Sequence, residues 1–321
     1  MVSPYSLGAT MYVPGTHADL YNVISGAKYP NLTSVVICTE DAINESEVPM
    51  AISNIATSLE RLAKGHGRRG PKVFIRPRDL TVAKTLTSYT QLKSVCGFVI
   101  PKFNLSNIDA WAEIMALAPN LMWMPTLEDC DVFDIVKMSA LADKLSQDHA
   151  NRTLMVRIGG NDLLNCLGLR RMKGLTLYDT PLGYTLKQLA SIYLSKGVKL
   201  ASPVMEHIDD TETLSRELQL DLAHGFVSKT AIHPSQVETI NTALQVDEHQ
   251  LEEAEQILNS TSAVFKLNGS MAEPATHKNW AMAIKARAEA FGLTGGKATL
   301  SAGGDSETLL ATPATVHSMA H

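Results

Sequence analysis

Cysteine is scarce and unpaired in this chain: Cys38, Cys96, Cys130 and Cys166 are the only 4 among 321 residues, and no two form a C-x-x-C spacing. Such a set builds no disulfide framework and suits a reducing cytosol. Aromatic residues are also few, at 6% against 45% hydrophobic residues overall, so an aliphatic core is expected. No apolar run approaches the ~18 residues of a membrane span. The opening Met-Val-Ser-Pro-Tyr-Ser-Leu-Gly carries neither a basic region nor a long apolar stretch, so no signal peptide is read there. A soluble, cytoplasmic protein is the expectation. Positive charge is not in excess either, with 28 Lys and Arg against 33 Asp and Glu and a net charge of -5. That argues against nucleic acid and membrane surfaces as partners. The one basic cluster, Arg68-Arg69, lies in Gly-His-Gly-Arg-Arg-Gly-Pro. It reads either as a solvated loop before a strand or as a contact for a phosphate-bearing substrate. No Gly-x-Ser-x-Gly elbow, P-loop or Rossmann glycine fingerprint is present.

What the chain does have is regularity. Strand-like apolar runs fall near residues 10–14, 33–38, 72–76, 96–101, 121–127, 153–158, 198–204 and 226–232. Most run directly into charged residues: Glu40-Asp41, Arg76, Lys102, Glu128-Asp129, Asp162 and His233. Continuous apolar runs are what strands buried on both faces look like, and parallel strands point their C-terminal ends at one rim. Between them lie amphipathic stretches at 19–25, 48–64, 107–117, 132–145, 185–196 and 211–224, with the 3.6-residue period of helices covering a sheet. Strand–helix alternation repeated about eight times favours a (β/α)8 TIM barrel over an open doubly wound sheet, although pattern alone does not exclude the latter. The barrel is expected over residues 1–245, a C-terminal helical extension over 246–292, and a Gly/Ser/Thr/Ala-rich tail, disordered or loosely held, over 293–321. Two helices, 247–265 and 277–291, are expected in the extension, with a loop between them.

Glu128 and Asp162 end consecutive strands, which makes them rim neighbours in a barrel. Two carboxylates without nearby thiol or imidazole pairs suit a hard cation such as Mg2+. Each has a structural alternative, a helix N-cap for Asp162 and an ion pair for Glu128. Gly159-Gly160-Asn161 is either an anion-binding start to a helix or a tight turn that needs glycine. Arg76, at a buried strand end, requires a carboxylate or a substrate anion opposite, with Glu40 or Asp41 as structural partners. Lys102 could form a Schiff base only with a depressed pKa. His233 reads as a hydrogen-bonding closure of the barrel or as a catalyst.

Seven ordered motifs together resemble the citrate lyase beta subunit-like branch of the HpcH/HpaI aldolase family. They are Met11-Tyr-Val-Pro-Gly15, Thr39-Glu-Asp-Ala42, Phe74-Ile-Arg-Pro77, Val99-Ile-Pro-Lys102, Thr126-Leu-Glu128, Gly159-Gly-Asn-Asp-Leu163 and Ala231-Ile-His-Pro-Ser-Gln236. The resemblance implies a barrel enzyme that makes or breaks carbon–carbon bonds beside a carbonyl, usually with Mg2+. Substrates in that family are small keto-acids or acyl-CoA thioesters, and its members are commonly homotrimers or hexamers of trimers. By motif match, Glu128 and Asp162 are the metal ligands, and Arg76 holds the keto-acid and steadies the enolate. Gly160 and the backbone of Asn161 take the substrate carboxylate, with Lys102 nearby, and Glu40 and Asp41 surround metal-bound water. Glu273, in Ser270-Met-Ala-Glu273-Pro274, stands where relatives place an acid/base Asp, often donated to a neighbouring subunit; it also reads as an ordinary surface acid.

There are departures from the family pattern. Relatives often read Gly-Glu-Asp where this chain reads Gly160-Asn161-Asp162, and tend to carry Asp-Gly where it reads Ala201-Ser-Pro-Val-Met-Glu-His207. The main reading is therefore an Mg2+-dependent carbon–carbon lyase acting on a 3-hydroxy acid or its CoA thioester. Two alternatives stay open: a CoA-independent aldolase on a free or phosphorylated hydroxy-keto acid, and a non-catalytic subunit that binds a small acid.

Overall fold

The computed structural model describes residues 2–64 and 70–295. Arg68-Arg69 and the tail from residue 296 lie outside the described residues. Eight parallel strands close into one barrel in sequence order. They are β1 (Gly8–Pro14), β2 (Ser34–Cys38), β3 (Lys72–Arg76), β4 (Gly97–Ile100), β5 (Met122–Leu127), β6 (Val156–Ile158), β7 (Leu200–Ser202) and β8 (Ser228–Ala231). Closure comes from β1 pairing with β8, with Gly8 opposite Ser228 and Met11 opposite Ala231. The expected (β/α)8 barrel is the fold, and the open doubly wound sheet is excluded.

The helices are α1 (Leu20–Ile24), α2 (Val48–Lys64), α3 (Leu80–Thr87), α4 (Ile108–Ala116), α5 (Ile135–Gln147), α6 (Gly160–Cys166), α7 (Leu182–Ser195), α8 (Thr211–Ala223), α9 (Ser235–Ala243), α10 (Glu248–Asn259) and α11 (Pro274–Phe291). Successive strand residues face opposite sides. On β2, Val35 and Ile37 join the apolar layer under the helices, whereas Val36 joins Phe74, Val99 and Met124 inside the barrel. This two-sided burial is why the strands read as largely apolar runs. The inward set that fills the base of the barrel is large and aliphatic, with Phe74 its one fully buried aromatic ring. Higher up the same inward face, the side chains become polar.

The end of the chain departs from expectation in detail. α10 stops at Asn259, and the segment read as a loop forms a small antiparallel hairpin, β9 (Phe265–Leu267) with β10 (Ser270–Ala272). Pro274 then starts α11, because proline at a first helical position forgoes no hydrogen bond. These elements share a core of their own, centred on Val246, Ala254, Ile257, Leu267, Ala281 and Ile284.

One buried charge network lies between the barrel and its helices. Lys229 on β8 points outward to Glu217 and Asp221 of α8, at 2.8 Å each. Glu217 also receives Arg171 at 2.6 Å and the Leu177 amide at 2.7 Å, and the Tyr178 hydroxyl donates to Asp221. All three attachments come from the loop between α6 and α7, so this cluster pins that loop beside the rim. A lysine within Val-Ser-Lys-Thr-Ala-Ile was its only trace in sequence. All four cysteines are free thiols.

Candidate active site

At the C-terminal ends of the strands, four of the expected residues meet around one guanidinium. Arg76 ends β3, and its Nη2 lies 2.5 Å from Glu40, 2.9 Å from Glu128 and 3.4 Å from Asp41. Glu40 and Glu128 are 3% and 4% exposed, so these charges are stabilised by one another rather than by water. The ion-pair reading of Glu128 is thus realised. Oε1 also accepts the Lys102 amide at 2.7 Å, and Oε2, which accepts from Arg76 at 3.1 Å, faces Gly159 with a lone pair left for a ligand role.

Lys102 has φ +46°, one of two positive values outside glycine among the described residues. Holding a non-glycine residue there stores strain, which the hydrogen bond donated by its backbone N–H to Glu128 helps to maintain. Its ammonium lies 3.1 Å from Glu40, and that contact raises its pKa. The depressed pKa that a Schiff base requires is therefore absent. Arg78, two residues beyond Arg76, clamps the Glu40 loop through the carbonyls of Thr39, Glu40 and Ile43.

Gly159 caps α6, and Asp162 is the third residue of that helix rather than its cap. A Cβ on Gly159 would lie 2.8 Å from Glu128 Oε2 and 3.2 Å from Asp162 Oδ2. The two carboxylate oxygens thus flank one small volume that only glycine leaves open. The first amides of a helix lack intrahelical partners, and those of Gly160 and Asn161 open α6 beside this volume. Gly160 is itself confined, because a Cβ there would lie 2.7 Å from Pro203.

Burial pushes the Glu128 carboxyl up to about 7, against the opposing pull of Arg76, and Asp162 and Glu40 add to the rise. Asp162 is raised by burial and then by Asp41, and Glu40 by burial and then by Asp41. Negative charge is crowded here, and a divalent cation would relieve it. The donors fit such an ion. They are hard carboxylate oxygens; no group of three or more His, Cys, Asp or Glu placed to hold a metal occurs among the described residues, so the protein itself would supply only part of an ion's shell. Two protein carboxylates with water or substrate completing the shell is how Mg2+ is usually held, and it does not suit Zn2+.

The cavity above these groups is about 260 Å3 and includes Asp41, Arg76, Glu128, Gly160, Asn161 and Asp162 in its wall. Two expected residues lie elsewhere. Glu273 precedes α11, bonded to Thr276 and His277 within the C-terminal appendage, and does not line the cavity of its own chain. His233 is exposed, with its ring on Ser235. The closure expected of it is made by Gln236, which is buried and ties the Ile232 amide to the Met205 carbonyl. Sequence reading also passed over Tyr12, Thr126, Arg157 and Thr230, all in the cavity wall. Arg157 left a signal, a lone cation inside Leu-Met-Val-Arg-Ile.

The model of one protein family, the C–C bond lyase of the TIM-barrel fold, matches residues 1–293. The chain belongs to this family. The carbon–carbon lyase kinship read from the ordered motifs is therefore established for almost all of the described chain. A (3S)-malyl-CoA thioesterase of Cereibacter sphaeroides is 25% identical over 246 residues, covering 76% of this chain and 79% of that protein. Among solved structures, the CitE protein of Mycobacterium tuberculosis in complex with magnesium, acetoacetate and coenzyme A is similar at a TM-score of 0.63 and 20% identity. That match covers 89% of this chain and 99% of the other. The citrate lyase beta subunit complexed with oxaloacetate and magnesium, from M. tuberculosis, gives a TM-score of 0.55 and 19% identity, covering 75% of this chain and 99% of that one. At these identities the structural likeness concerns the fold. No helix among the described residues is long and apolar enough to cross a membrane.

Proposed function

We propose that this member of the C–C bond lyase family is an Mg2+-dependent lyase that cleaves, or forms, the bond between C2 and C3 of a 3-hydroxy acid or its CoA thioester. The observation that carries the reading is the convergence of Glu128 Oε2 and Asp162 Oδ2 on the volume above Gly159, with Arg76 at the same opening. In this reading Glu128 and Asp162 hold the ion. When bound, Mg2+ supplies positive charge that polarises the substrate carbonyl.

The protein's own groups account for the rest. The amides of Gly160 and Asn161 take the substrate carboxylate at the start of α6, and Lys102 adds positive charge at the rim. As the C2–C3 bond breaks, the C3 hydroxyl becomes a carbonyl and gives up its proton, while the bonding pair moves into an enolate. Arg76 steadies that enolate. Its guanidinium is already fixed by Glu40 and Glu128, so little reorganisation is needed as charge develops. Asp41 is the most exposed of the cavity carboxylates, its side chain 58% exposed and 3.4 Å from Arg76, and in this reading it receives the proton in the chain's own cavity.

Glu273 acts in the cavity of a neighbouring copy within a trimer or hexamer. Its position on the appendage, away from its own site, supports that role, as do the exposed Met271 and Trp280, which line one surface pocket with His277. The cavity volume favours a small acid inside the barrel, since pockets for drug-sized ligands start at roughly 300 Å3; a CoA moiety would have to lie outside the rim.

The test is turnover of a panel of 3-hydroxy acids and their thioesters, with keto-acids plus acetyl-CoA for the reverse direction. Chelation should abolish activity, and Glu128→Gln or Asp162→Asn should lower kcat at least ~100-fold. A metal-free enzyme with full activity contradicts the proposal.

A further inference from the structure

Among the described residues, seven buried side-chain nitrogen and oxygen atoms lack a hydrogen-bond partner, and four of them belong to residues of one cavity wall. They are Arg76 Nε, Thr126 Oγ1, Arg157 Nε and Arg157 Nη1. Buried polar groups are normally satisfied, so such a concentration marks a place built for something else to bind.

Arg157 is the extreme case. It sits on β6 with 1% of its surface exposed, and its inward face places it one layer below Gly159. Nη2 donates to Thr230 Oγ1 at 2.6 Å, and the guanidinium carbon lies 5.5 Å from the centre of the Tyr12 ring. Thr126 is its register neighbour on β5. These contacts fix the side chain but do not neutralise it. The other two buried arginines differ: Arg76 is matched by Glu40 and Glu128, and Arg171 by Glu217 at 2.6 Å. No carboxylate pairs with Arg157 among the described residues. A guanidinium stays protonated at any physiological pH, and burying it without a counter-charge is strongly unfavourable.

We propose that Arg157 anchors a second anionic group of the substrate, so that the acid bound in this barrel carries two anions. The first lies at the rim with Arg76 and the start of α6; the second reaches down to the β6 guanidinium. This rests on the reading of the cavity as the substrate site, and it narrows that reading to compact acids with a second carboxylate or phosphate. Thr126 and Thr230 flank the group and complete its hydrogen bonding.

Three stable ligands test this by calorimetry on the Mg2+-loaded protein. Lactate carries one anion, malate adds a carboxylate, and 3-phosphoglycerate adds a phosphate. The wild type should bind malate, 3-phosphoglycerate or both more tightly than lactate, and the one preferred identifies the second group. Arg157→Met should weaken two-anion ligands by roughly 10- to 100-fold, the loss expected for a charged hydrogen bond. Lactate binding should stay within about twofold, since one-anion ligands do not reach that layer. Arg157→Lys should keep part of the preference. A folded Arg157→Met protein with an unchanged malate-to-lactate ratio overturns the proposal, as does a wild type without any preference. If Arg157→Met does not fold, the ratios of the wild type and Arg157→Lys decide in the same way. Glu128→Gln separates the two levels of the argument. Should it leave all three ligands unaffected while Arg157→Met still weakens malate, the metal reading fails and the anion subsite stands.

Discussion

Replacing Glu128 by Gln removes one charge and little volume, and its effect can be worked out from burial. The folded carboxyl sits near 7 against an ordinary value of 4.5. Because the folded pKa is the higher, the folded state holds the extra proton between those values. The associated stability is complete below about pH 4.5 and is lost as the pH rises through about 7, a span worth about 3 kcal/mol. A divalent cation at the carboxylate offsets that loss, so Mg2+ should stabilise the protein more in mild alkali than in mild acid. At a concentration one hundred times its Kd, an ion adds about 2.7 kcal/mol, or roughly 4 °C in Tm for a domain of this size. At about pH 5.5, proton competition weakens binding ~30-fold and cuts the shift to roughly 1 °C. Thermal unfolding followed by circular dichroism, with and without MgCl2 at both pH values, measures these shifts. Glu128→Gln should flatten the pH dependence between about 4.5 and 7 and abolish the Mg2+ shift. A variant that keeps the wild-type Mg2+ response, or a wild type with equal responses at both pH values, refutes the reasoning.

Gly159→Ala should weaken Mg2+ binding by roughly 10-fold or more while the barrel still folds, because its Cβ would sit 2.5 Å from Glu128 Cβ; calorimetric titration with Mg2+ reads this directly. Arg76→Met should lower stability by about 3–5 kcal/mol, since it strands Glu40 and Glu128 without their cation, and urea unfolding measures the loss. Lys229→Met should cost a similar ~3–5 kcal/mol by leaving Glu217 and Asp221 buried without it, yet leave Mg2+ affinity unchanged. If Glu273 serves a neighbouring copy, mixing inactive Glu128→Gln and Glu273→Gln proteins should restore part of the activity through mixed oligomers; no recovery from a confirmed mixed assembly contradicts that role.

The strands were legible because burial on both faces keeps them largely apolar, with only isolated polar residues such as Arg157 and Lys229 inside them. The observed strands are shorter than the apolar runs at β6 and β7, where only Val156–Ile158 and Leu200–Ser202 join the ladder. Two helices were missed for physical reasons. α3 and α9 are short and rich in Thr, Ser and Asn, which blunts an apolar stripe; the helix start at Gly160-Asn161 is one of two readings, beside a tight turn, and the structure realises it as α6. The rim charges were readable because a carboxylate or arginine closing an apolar run requires a partner. Which partner each found was not readable, since it depends on where strands meet around the closed sheet. The convergence of Glu40, Glu128 and Asp41 on one Arg76 nitrogen is of that kind. Arg157 was hidden by its apolar neighbours, and Arg171 by a loop that looks solvated until Glu217 is seen beneath it. Glu273 shows the converse case, in which a motif was plain in sequence but the fold places it away from the cavity of its own chain.

The central claim is that Glu128 and Asp162 share one hard cation at the mouth of the barrel. Anomalous diffraction from crystals soaked in Mn2+, a heavier stand-in for Mg2+, tests it most directly. The account predicts a single strong peak within bonding distance of both carboxylates, lost in Glu128→Gln crystals. A peak elsewhere, or none at this opening in well-ordered crystals, contradicts it.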